Sequence, residues 1–205
     1  MDDDDLRRGR PTCHKVYGEG MAVLCGDALL TEAFLVLSKM PATAHYSHAD
    51  HVKELALTGS SRQLIGGQVL DLESEGKSIN LDQLETIHRC KTAALLTCSL
   101  RLGAMSANAS DVQLEAITLF GQALGLAFQV IDDILDVTQS SEILGKTAGK
   151  DVAAAKATYP ALLGLDASRQ IAFQLTQRAN QSLKVFGDSA FRLQEIADSM
   201  LQRHY

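Results

Sequence analysis

The chain has 205 residues, 46% of them hydrophobic, which suits one domain with a sizeable core and is too apolar for a disordered chain. Its net charge of −6 offers no basic face of the kind a nucleic-acid or anionic-membrane binder presents. With three prolines, no tryptophan and few aromatics, the composition favours helices over sheets.

In chain order, Met1 to Pro11 is polar and charged, with the run Asp2-Asp3-Asp4-Asp5 at its start. From about Gly18 to Lys39 the pattern is helical and apolar on most faces, which predicts a helix buried within a bundle. Asp27 lies inside that run and is expected to be paired, because burying a lone carboxylate is costly. Pro41 marks a break. A second helix is expected from roughly His48 to Glu73, although Gly66-Gly67 inside it costs about 2 kcal/mol relative to alanine. Close packing or a ligand at the backbone would offset that.

Asn80 with Gln83, and Ser110 with Gln113, have the spacing of capping boxes. They predict helices running to about Ala104 and Val137. Gly145 and Gly149 lie in a polar segment, and two or three shorter helices fill the remainder from about Val152. No internal repeat or linker appears, so residues 1–205 read as one all-α domain. No apolar run is expected to reach membrane-spanning length, and no signal-peptide pattern opens the chain. The four cysteines have neither C-x-x-C nor zinc spacing, which predicts reduced, mostly buried thiols and a cytoplasmic protein.

The stretch richest in chemistry is Phe128-Gln129-Val130-Ile131-Asp132-Asp133-Ile134-Leu135-Asp136. Asp132 and Asp136 share a helix face, Asp133 lies about 100° round, and Gln129 is one turn earlier. Like charges at this spacing repel by a few tenths of a kcal/mol per pair. They also sit toward the helix C-terminus, where the macrodipole disfavours anions. A cation relieves both effects, and hard oxygen ligands that leave room for water and phosphate suit Mg²⁺. The competing reading is a solvated acidic helix end, against which the apolar flanks argue.

Three weaker constellations accompany it. Asp2 to Asp5 precede Leu6, Arg7, Arg8 and Gly9; carboxylates beside paired arginines fit metal–diphosphate chemistry, or a charge-neutralising surface patch. Lys91-Thr92, then Lys146-Thr147, Lys150 and Lys156, place cations that could clamp a metal-bound diphosphate, or simply meet solvent. Gln68 and Asp71 share a helix face beside Gly66-Gly67, as a substrate site or a packing site.

Taken in order, DDDDLRRGRPTCHK, GDALL, GGQVLD, KTA, FQVIDDILD, GKTAGKD and KATYP resemble the trans-prenyl diphosphate synthases, in the short-chain bacterial and plastid-type branch that makes farnesyl and geranylgeranyl diphosphates. The resemblance implies an isoprenoid synthase-type helical bundle around a central cavity, a homodimer, and three Mg²⁺ between two aspartate-rich motifs. It implies Asp2, Asp132, Asp133 and Asp136 as metal ligands. Arg7, Lys91, Lys146 and Lys156 would hold the allylic diphosphate and Arg8 the isopentenyl diphosphate. Thr92 and Gln68 would line the reaction centre with Lys91, and Phe128 and Gln129 the isopentenyl side. The implied reaction ionises the allylic diphosphate, adds the isopentenyl double bond and loses a proton, giving farnesyl diphosphate or a similar short product.

One departure stands out. The family's first motif reads D-D-x-x-x-x-D, and only its last aspartate, Asp2, is present. The expectation is that Met1 is an internal methionine of a longer protein whose N-terminal helices are missing. A non-catalytic, dimerising or diphosphate-binding subunit is the alternative. A terpene cyclase fits less well, because it should lack the paired arginines, GGQVLD and the FQ pair.

Overall fold

The computed structural model describes residues 3–139 and 156–202. Helices dominate, as composition predicts, with one small exception. Leu6–Arg7 (β1) and Arg10–Pro11 (β2) pair as an antiparallel hairpin. Its two-residue turn is Arg8 (φ 52°) and Gly9 (φ 72°), the positive-φ pair that matches the twist of a tight hairpin. Thr12 closes its base, donating from its backbone N–H to the Asp5 carbonyl (2.9 Å) and from Oγ1 to the Asp4 carbonyl (2.6 Å).

The helices follow as α1 (Cys13–Tyr17), α2 (Glu19–Ser38), α3 (His48–Gly59), α4 (Leu64–Ser74) and α5 (Leu81–His88). A single π-helical turn, Arg89–Ala93, leads into α6 (Ala94–Ser106), and α7 spans Asp111–Thr138. After the residues outside the description come α8 (Tyr159–Leu163), α9 (Leu165–Ser182), a 3₁₀ stretch (Leu183–Ala190) and α10 (Phe191–Leu201). Both capping boxes form: Asn80 with Gln83 starts α5, and Ser110 with Gln113 starts α7.

The core is built around α7. Ile117, Phe120, Ala123 and Leu124 pack with Ala179, Leu183, Ala190 and Ala197 at one end. Val130, Ile131, Ile134 and Leu135 pack with Leu84, Tyr159 and Ala172 at the other. Arg101 ties three helices together. Its guanidinium grips Glu54 of α3 through Nε (2.7 Å) and Nη2 (3.0 Å), and Nη1 donates to Thr118 Oγ1 of α7 (2.6 Å).

Several expectations change. The helix expected over His48 to Glu73 is two helices, broken where Ser60 is extended and Gln63 leaves helical geometry (φ −134°, ψ −99°). The Asn80 helix is interrupted by the π turn, where the Ala94 N–H reaches back to the Arg89 carbonyl. Of the cysteines only Cys98 is buried; Cys90 is intermediate, and Cys13 and Cys25 are exposed.

The largest change is α2, which is not buried. Val23 (64%), Leu24 (61%) and Leu29 (68%) face outward, and Leu37 is its one buried residue. It packs against α1 and α3. Asp27 is exposed with it and needs no buried partner. By length and composition α2 and α7 are each long and apolar enough to cross a membrane, against the expectation that no run reaches that length. For α7 the apolar surface is core; for α2 nothing among the described residues covers it.

Candidate active site

The glycines of α4 explain how the site is assembled. Gly67 lies so close to the π turn that an added Cβ would overlap the Lys91 amide nitrogen and sit 2.8 Å from the Cys90 Cβ. Gly125 of α7 does the same from the other side, where a Cβ would fall 2.6 Å from that of Ala93. The π turn is clamped between two backbones that only glycine lets in. The helical penalty of Gly67 is thus offset by close packing. A π turn adds one residue to the helical ring and re-aims the side chains it carries, and those carried here are Lys91 and Thr92.

Both make specific contacts. Lys91 Nζ pairs with Asp71 Oδ2 of α4 at 2.6 Å, and Lys156 Nζ approaches the same oxygen at 3.5 Å and Glu75 Oε1 at 3.5 Å. Two lysines expected to serve one diphosphate therefore meet at one carboxylate. Thr92 Oγ1 donates to Gln129 Oε1 at 2.7 Å, joining the π turn to α7. Gln68 is half-buried, and its Nε2 is buried with no hydrogen-bond partner among the described residues. A buried, unsatisfied donor is costly and calls for a ligand or an ordered water.

The three aspartates of α7 have different surroundings. Asp132 is half-buried, while Asp133 and Asp136 are 3% and 5% exposed. Asp133 Oδ2 accepts the Tyr159 backbone N–H at 3.0 Å and lies 3.5 Å from His88 Nε2. The Tyr159 ring, fully buried, stacks on His88 with centroids 5.8 Å apart. Burial, reinforced by Glu85, holds the Tyr159 hydroxyl well above its ordinary pKa, so it stays neutral.

Arg7 and Arg8 are exposed on the hairpin. Among the described residues no hydrogen bond or ion pair ties them to the α7 carboxylates. The acidic run instead meets α1: Asp3 accepts from Lys15 Nζ (3.2 Å) and His14 Nε2 (2.9 Å), and Asp5 from Lys15 (2.9 Å). Lys15 chiefly, then His14, draw the Asp3 carboxyl below its usual range. Phe128 is half-buried one residue before Gln129. Asp2 and Lys146 lie outside the described residues.

Asp71 was placed by sequence beside Gln68, but its role as the meeting point of two lysines was not. Its spacing, four residues before Glu75 in sequence, was the available signal. Nothing local pointed to His88 or Tyr159.

An all-helical bundle with lysines gathered at α4 and a D-D-x-x-D helix at its centre is the isoprenoid synthase architecture. A sequence profile of the polyprenyl synthetases matches residues 1–190, and the chain belongs to that family. It is 46% identical over 210 residues to farnesyl diphosphate synthase of Escherichia coli, covering 100% of this chain and 70% of that protein. It is 52% identical over 190 residues to a chloroplastic geranylgeranyl pyrophosphate synthase of Catharanthus roseus, covering 91% of this chain and 53% of that protein. The chain thus spans about half the length of its plant relative.

Among solved structures, a Helicobacter pylori geranyltransferase complexed with magnesium and isoprenyl diphosphate superimposes with a TM-score of 0.84 at 37% identity. The match covers 98% of this chain and 66% of that one. A Caulobacter crescentus polyprenyl synthase complexed with calcium and isoprenyl diphosphate gives 0.90 at 28% identity, over 100% of this chain and 72% of that one.

Among the described residues no three His, Cys, Asp or Glu side chains form a ready cage for a metal ion. Asp132 and Asp136, four apart on α7, are hard oxygen donors on one face. Mg²⁺ characteristically takes one or two carboxylates and fills the rest of its sphere with water and phosphate oxygens. The donor set fits.

Proposed function

We propose that the chain is a single prenyl diphosphate synthase domain that joins isopentenyl diphosphate to an allylic diphosphate. Its proposed product is farnesyl diphosphate or a similar short chain. The observation that carries the proposal is the meeting of Lys91 and Lys156 at Asp71. Two cations held together can balance the charge that builds on a departing diphosphate, and electrostatic stabilisation of that kind is a large catalytic term.

The Thr92 hydroxyl donates a hydrogen bond to Gln129 Oε1, so its oxygen keeps lone pairs that can face a developing allylic cation. The buried Gln68 amide supplies a donor in want of an acceptor. Asp132 and Asp136, with Asp2, are the residues that would hold Mg²⁺, which when bound neutralises diphosphate oxygens and makes them a better leaving group. Arg7 and Arg8, with Lys146, are proposed to reach the two diphosphates, and Phe128 to line the isopentenyl side. The proton lost at the end can leave on the released diphosphate, so no protein base is required.

The exposed apolar side of α2 supports a homodimer, and the predicted setting is the cytoplasm. A helix apolar all round is stable in water only when covered. Sedimentation of the chain should show a dimer, and Leu24→Glu with Leu29→Glu should shift it to monomer; a monomer before substitution overturns this. The same face gives weight to the second reading, a subunit that associates and binds diphosphate without turnover.

The deciding experiment incubates the chain with Mg²⁺, labelled isopentenyl diphosphate and dimethylallyl or geranyl diphosphate, and sizes the extracted products. EDTA-sensitive product supports the enzyme. Diphosphate binding without product supports the subunit. Neither binding nor product overturns both.

A further inference from the structure

The aspartates of α7 have different neighbours. Asp133 faces protein rather than open space. It is 3% exposed, its Oδ2 accepts the Tyr159 N–H at 3.0 Å, and His88 Nε2 lies 3.5 Å from the same oxygen. Tyr159 opens α8, and the first N–H groups of a helix have no partner within it. Thr158 Oγ1 accepts one of them, from Ala161, at 3.3 Å; Asp133 accepts another from across the bundle. The Tyr159 ring is wholly buried against His88, so this end of α8 is held by a charge-assisted hydrogen bond and a stacked pair together. Lys156 lies three residues before Tyr159, and its ammonium reaches Asp71 of α4 and Glu75 at the end of that helix.

We infer that Asp133 is a positioning residue: it fastens the Thr158–Tyr159 segment to α7 and thereby sets Lys156 beside Lys91 at Asp71, leaving metal binding to the other carboxylates. A hydrated Mg²⁺ needs near-octahedral space around the oxygens it takes. Asp133 Oδ2 is instead faced by a backbone donor and an imidazole edge. The value of holding Lys156 rests on the prenyl-transfer reading; the anchor itself does not.

Substitution at Asp133 with amide hydrogen exchange at Tyr159 tests the anchor without turnover. In Asp133→Asn the amide oxygen can still accept the Tyr159 N–H, so exchange there should stay near the parent rate. In Asp133→Ala it should rise about tenfold, the loss of one buried hydrogen bond. Asp133→Ala should also weaken binding of a non-hydrolysable allylic diphosphate analogue. Adding Lys156→Ala to it should weaken binding little further, because both act through the same ammonium.

Unchanged Tyr159 exchange in Asp133→Ala overturns the anchor. So does Asp133→Asn losing Mn²⁺ affinity as fully as Asp132→Asn with Tyr159 still protected, which would make Asp133 a ligand. Should Asp133→Ala not fold, the Asn variant decides by the same two readouts: a protected amide with parental Mn²⁺ affinity supports the inference, and an exposed amide opposes it. An inactive chain that passes the exchange test would refute the prenyl-transfer reading alone.

Discussion

The Thr92 hydroxyl donates to Gln129 Oε1 at 2.7 Å, so the π turn and the central helix α7 are joined by side chains one residue from a lysine of the site and three from Asp132. The contact is partly buried, and each group loses its partner if the other is removed. Thr92→Val and Gln129→Met should each cost about 1 kcal/mol in urea unfolding, and the double variant clearly less than their sum. Simple additivity would show that the two do not interact in solution.

Glycine at the two clamp positions should be required. Gly67→Ala and Gly125→Ala each place a methyl group against the backbone of the π turn. Both should destabilise by about 1–3 kcal/mol in spite of alanine's better helix propensity. Gly103, in α6, has nothing within 4 Å of an added Cβ. There the same change should stabilise by up to about 1 kcal/mol. Thermal unfolding of the three variants checks this, and stabilisation at Gly67 would refute the clamp.

Asp71 holds the lysine pair. Its carboxylate is 14% exposed and meets Lys91 at 2.6 Å, whereas Glu75 is 40% exposed and, among the described residues, pairs with Lys156 at 3.5 Å. Asp71→Asn leaves two half-buried ammonium groups without their shared counter-charge and should cost about 1–3 kcal/mol. Glu75→Gln should stay within about 0.5 kcal/mol. Equal losses in urea unfolding would mean that Asp71 has no special place.

The thiols should separate kinetically. Cys13 and Cys25 are exposed, whereas Cys98 is buried and its burial pushes the thiol pKa up. Only the thiolate reacts, so Cys98 loses on both access and ionisation. An aromatic disulfide reagent near pH 8 should label Cys13 and Cys25 quickly and Cys98 only after denaturant is added. Fast labelling of Cys98 in Cys13→Ser/Cys25→Ser/Cys90→Ser would show that the core around it opens readily.

Much of this protein was legible along the chain. Helix starts at Asn80 and Ser110 depend on a side chain and a backbone amide three residues apart, and both were readable. So was the pairing of Asp132 with Asp136, because helical spacing alone puts them on one face. The order of the motifs pointed to the family whose profile matches residues 1–190.

Contacts between distant segments decided the rest. The π turn lies where Gly67 and Gly125 approach it from two other helices, and no periodicity within Arg89–Ala93 records that approach. Asp133 reads as the twin of Asp132 until Tyr159 and His88 close over it. The apolar residues of α2 predict burial, yet hydrophobicity states only that a surface should be covered, and what covers it lies outside its own helix. Local hydrogen bonds and helical spacing act over a few residues and are written in order. Burial, close approach and the choice of an ion's partner depend on which segments meet in space, and for α7 that gives Asp132, Asp133 and Asp136 different surroundings.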